Sequence, residues 1–88
     1  MQIKIESRED LDSICVLLIE YKMKVRKMLD KKSKGSYNWY LELNDYSTIV
    51  ISCIKAIEEY NKIIELDSVK NFLEDVKKSD ERLYNVNE

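Results

Sequence analysis

Between Lys22 and Lys34 the chain places seven cations (Lys22, Lys24, Arg26, Lys27, Lys31, Lys32, Lys34) against one acid, Asp30, and three aromatics follow at once: Tyr37, Trp39 and Tyr40. Cations beside flat aromatic faces can pair with phosphates and stack on bases, and buried aromatics also anchor protein interfaces. The candidate partner-binding residues are therefore Lys27, Lys31, Lys32, Lys34, Tyr37, Trp39 and Tyr40. Two kinds of partner fit them: an acidic protein surface, or a phosphate-bearing small molecule such as a nucleotide. The plainer reading is a solvated basic face, with lysines answering the negative end of a helix and the aromatics in the core. Duplex nucleic acid fits poorly, because the whole chain carries a net charge of −2 and a pI near 5.3, whereas duplex-binding modules are usually strongly basic.

Turnover has little to stand on. Histidine is absent, which removes the usual acid, base and metal ligand near neutral pH. A single glycine leaves no material for a phosphate-cradling loop. The carboxylates Glu9, Asp10, Asp12, Glu58 and Glu59 fall at a helix start or on exposed faces, and no Cys/His or EF-hand spacing is present. The expectation is a protein that is not an enzyme, with no catalytic residues, no metal site and no cofactor. Cys15 and Cys53 each lie in an apolar stretch and read as buried free thiols, a bridge between them being reserved for an exported chain. The start, Met1 to Glu6, is charged where a signal peptide is apolar. The longest apolar run, Ile14 to Ile19, is six residues, against roughly 20 for a membrane span. A cytoplasmic protein with no membrane segment is expected. Lys, Ile, Asn and Tyr, which have A/T-rich codons, far outnumber Gly, Ala, Arg and Pro. That bias points to an A/T-rich bacterial, phage or mobile-element genome, and the base composition of the coding sequence tests it.

These residues must be positioned by few, long elements, since proline is absent and the lone glycine is Gly35. With 44% of residues hydrophobic and 36% charged, the 88-residue chain reads as one small helical domain. Gln2 to Glu6 alternates as a short strand does. Ser7 follows as an N-cap, and Leu11, Ile14, Leu18, Tyr21, Val25 and Met28 keep one helical stripe, predicting a helix over 8–32 closed by Gly35. Residues 37–44 alternate again, with Trp39, Leu41 and Leu43 on one side, predicting a strand over 39–43. Asn44 or Asp45 then caps a helix over 46–66, and Asp67 or Ser68 caps another over 68–82. The predicted fold is mainly α with a minor β part: three helices and two short strands, 2–6 and 39–43, in β-α-β-α-α order.

The first helix also has a second apolar line, Val16, Ile19 and Met23, with Glu20 among them, and Ile49 and Ile51 widen the second helix in the same way. A helix apolar on two sides is usually covered on two sides. Val16, Ile19, Glu20, Met23, Ile49 and Ile51 are accordingly the candidate interface of a homo-oligomer, dimer or higher, with Glu20 paired to Lys24 or Arg26 of a mate. The functional expectation is stoichiometric binding by an accessory regulator or inhibitor.

Overall fold

The computed structural model describes residues 3–30 and 35–85, with side chains through Lys78, and its elements are α1 (Arg8–Leu29), α2 (Tyr37–Ile64) and α3 (Asp67–Asn85). The first helix starts where Ser7, in extended backbone, accepts the Asp10 N–H on its Oγ at 3.1 Å. Asp10 answers by accepting the Glu6 N–H at 3.1 Å. The N-cap bond is worth about 1 kcal/mol of helix stability. Leu29 is the last residue of α1, short of the predicted 32, and Lys31, Lys32 and Lys34 lie outside the described residues.

The predicted strand over 39–43 is overturned: those residues are in the first two turns of α2. Ser36 caps that helix, its Oγ accepting the Trp39 N–H at 3.2 Å, so α2 begins nine residues before the predicted 46 and ends at Ile64 rather than 66. The physical reason is a second periodicity in the same residues. Trp39, Leu43, Tyr46, Val50, Cys53, Ile57, Tyr60 and Ile64 keep alternating steps of four and three, a continuous helical seam that outweighs a three-residue alternation. Leu41, which the strand reading placed beside Trp39, is exposed instead. With 39–43 helical, residues 3–6 have no strand to pair with, and there is no strand among the described residues. The β-α-β-α-α order is replaced by three helices.

The stripe of α1 has the same step pattern, and the two helices pack antiparallel along these seams. Register is fixed by contacts at two levels: Trp39 reaches Met28, and the Tyr21 and Tyr46 rings meet edge to face at 5.6 Å. The same register sets Cys15 level with Cys53, Leu18 with Val50 and Leu11 with Ile57. All but Cys15 among these six are buried, Leu18, Cys53 and Ile57 completely.

Glu65 ends α2 in left-handed backbone (φ 49°), with its N–H on the Asn61 carbonyl at 2.8 Å. The Asn61 side chain closes the turn by accepting the Leu66 N–H at 3.0 Å. Asp67, one residue before the predicted start, already lies in α3. Val69, Leu73 and Val76 bury against α2, and Ile5 joins the same core from the N-terminal side. Met28 and Trp39 make a separate buried pair at the far end of the hairpin.

Candidate functional site

The basic segment is partly consumed by the fold. Lys22 Nζ donates to the Val76 carbonyl at 3.1 Å, joining α1 to α3. Lys24 Nζ sits 4.7 Å from the Tyr21 ring centroid and 5.5 Å from that of Tyr46, a cation held over two aromatic faces. Tyr46 in turn donates its hydroxyl to Glu42 at 3.1 Å. That bond to a carboxylate, helped by partial burial and the nearby negative charges, pushes the Tyr46 phenol above its ordinary pKa. Lys27 is exposed at the last turn of α1.

The three aromatics separate. Trp39 is 6% exposed, and its Nε1 donates to the Met28 carbonyl at 2.6 Å. It is occupied within the chain and has no open face for a ligand. Tyr37 and Tyr40 are exposed on the first turn of α2, with the Tyr40 ring set edge-on to Trp39 at 4.9 Å. Leu41 is exposed beside them. The sequence signal for Leu41 was the helical seam itself, which leaves it on the outer side once 39, 43 and 46 face inward.

Of the candidate interface residues, Val16 (66% exposed), Ile19 (47%) and Met23 (54%) form one apolar stripe on the outer face of α1, with Glu20 exposed alongside. Ile49 and Ile51 do not extend that stripe. Ile49 is half-buried against the main core, and Ile51 is exposed on a groove between α2 and the N-terminal segment. That groove, about 610 Å³, has apolar walls from Ile3, Ile5, Ile51, Ala56, Tyr60 and Ile63, with Lys4, Lys55 and Glu59 at its rim. Its volume falls in the range of small-ligand sites, roughly 300–1,000 Å³. Ile63, 80% exposed, was not singled out by its spacing.

The two cysteines are free; Cys53 is buried and Cys15 half-buried. Desolvation raises both thiol pKa values, with Asp12 adding to the shift at Cys15 and Cys15 adding to that at Cys53. Raised thiols are poor nucleophiles at neutral pH. Among the described residues no three His, Cys, Asp or Glu side chains gather as a metal site, and no helix is long and apolar enough to cross a membrane. Compared with protein families, curated proteins and solved structures, the chain matches none of them.

Proposed function

We propose that this chain is a non-enzymatic, self-associating binding protein that holds a partner protein stoichiometrically, as an accessory regulator or inhibitor does. The observation that carries the reading is the apolar stripe Val16, Ile19 and Met23, each about half exposed or more, on a helix whose opposite side already fills the core. Together with the groove at Ile51 and Ile63 it makes two apolar patches that the chain itself leaves in water, the kind of surface that marks an interaction site. Copies of the chain cover part of that surface. The partner meets the hairpin end, where Tyr37, Tyr40 and Leu41 supply apolar contact area and Lys27 supplies charge toward an acidic surface.

The phosphate-ligand alternative keeps Tyr37 and Tyr40 for stacking but loses Trp39 to the Met28 carbonyl, and no observation favours it. Sedimentation of the purified chain tests the first half of the reading: a mass above 10.5 kDa at micromolar concentration is expected. A single-copy mass overturns it. Chemical cross-linking in the source cell tests the second half. A defined protein adduct should form with the wild type and be lost in a Tyr37→Ala, Tyr40→Ala double variant, and an adduct indifferent to that change removes the hairpin end from the site.

A further inference from the structure

The N-terminal segment carries an unused pairing capacity. Ile3 is half-buried, Lys4 exposed, Ile5 buried and Glu6 exposed, the in-out alternation of a chain lying along a surface. No backbone hydrogen bond engages Ile3, Lys4 or Ile5 among the described residues, while the Glu6 N–H is taken by Asp10. Beside this segment runs the apolar groove of about 610 Å³, with Ile51 and Ile63 exposed on its α2 side. From Thr48 to Ile63 the α2 wall is about 22 Å long at 1.5 Å per residue. That is ample length for a second peptide segment of the same size.

We propose that the groove is occupied by the N-terminal segment of a second copy, running antiparallel to its own counterpart with Ile5 of the two chains opposed on the two-fold axis. This deepens the self-association half of the functional reading and rests on it. The charge pattern selects the register. With Ile5 opposite Ile5, Lys4 of each chain faces Glu6 of the other, so two opposite-charge pairs form across the axis. Shifting the axis by one residue, onto Lys4 or Glu6, opposes two like charges instead. Ile5 of each chain stays in its own core, and the half-buried Ile3 of the incoming segment, on the same side, meets the exposed isoleucines of the groove. Main-chain hydrogen bonds engage the free Ile5 groups, and the Glu6 N–H, directed to Asp10, lies outside the pairing. A two-fold contact of this kind is self-complementary and closes at the dimer.

Lys4 and Glu6 side chains are 84% and 69% exposed and pair with each other at 3.6 Å, so reversing either charge leaves the core untouched. In Lys4→Glu each chain has acids at 4 and 6, and in Glu6→Lys it has cations at both. Each variant alone should dimerise more weakly, by on the order of tenfold in dissociation constant. An equimolar mixture of the two should regain the wild-type dimer mass by sedimentation, because every cross-axis pair is then opposite in sign. The intrachain Lys4–Glu6 pair stays broken in both components, so rescue on mixing reports contact between chains. A mixture no tighter than its components, or single variants as tightly dimeric as wild type, overturns the pairing. If the wild-type oligomer instead dissociates in Met23→Glu and ignores both charge reversals, the contact lies on α1: the pairing is overturned and self-association stands. A wild-type monomer overturns both.

Discussion

Trp39 and Met28 close the end of the helical hairpin through a 2.6 Å hydrogen bond from the indole Nε1 to a main-chain carbonyl in the last turn of α1. The last four carbonyls of a helix lie beyond its i+4 ladder, and the indole N–H gives this one a buried side-chain donor beside the Asp30 cap N–H. Trp39→Phe keeps most of the apolar area and removes the donor, and should cost about 1–2 kcal/mol in urea unfolding. Trp39→Ala also opens a cavity and should cost about 3–5 kcal/mol. If the two variants are equally stable, the hydrogen bond and not the ring dominates.

Lys22 holds α3. Its ammonium reaches the Val76 carbonyl while its stem lies half-buried between helices. Lys22→Met preserves the stem and should lower stability by about 1 kcal/mol. Amide exchange should accelerate in α3 more than in α1 and α2, since α3 has the smaller interface. Uniform acceleration across all three helices would show that α3 does not open separately.

The thiols make the fold alkali-sensitive. Both folded pKa values lie above the ordinary 9.0, first through desolvation. Their contribution is therefore complete at neutral pH and is lost as pH climbs above 9.0 and through the folded values. The urea midpoint should fall between about pH 8 and about pH 10, and Cys15→Ala with Cys53→Ala should flatten that fall. Tyr46, also raised, acts in the same direction and leaves a residual slope.

Two backbone positions should respond oppositely to substitution. Gly35 has φ +95° with open space around its α-carbon, so Gly35→Ala meets no neighbour and costs only backbone strain, about 1–2 kcal/mol. Glu65 holds a left-handed conformation at the end of α2, and Glu65→Gly should stabilise by up to about 1 kcal/mol. Thermal midpoints moving in opposite directions would bear this out, and a loss of stability in Glu65→Gly would contradict it.

Helix α1 was readable from Ser7 and its apolar stripe because cap and periodicity agreed, and α3 from the stripe Val69, Leu73 and Val76, although it runs Asp67–Asn85 rather than over 68–82. The start of α2 was not, because Trp39, Leu41 and Leu43 satisfy two periods at once. Only the continuation through Tyr46 and Val50 decides between them, together with the bond from the Trp39 N–H to the Ser36 hydroxyl. The candidate site was legible to a similar depth. Val16, Ile19 and Met23 are exposed as their spacing implied, whereas Ile51 belongs with Ile3 and Ile5, a neighbourhood that no local pattern encodes. Trp39 resembled a ligand platform in sequence because nothing there reveals a carbonyl eleven residues earlier that takes its N–H.

The seam between α1 and α2 also has a kinetic meaning. Its first layer, Met28 with Trp39, joins residues close in the chain, and each later layer toward Leu11 and Ile57 closes on the one before. Loop closure is cheapest at that first step and nearly prepaid afterwards, which is the arrangement of rapidly folding helical proteins. The hairpin can zip shut as soon as α2 has been synthesised, with α3 arriving on a surface already formed.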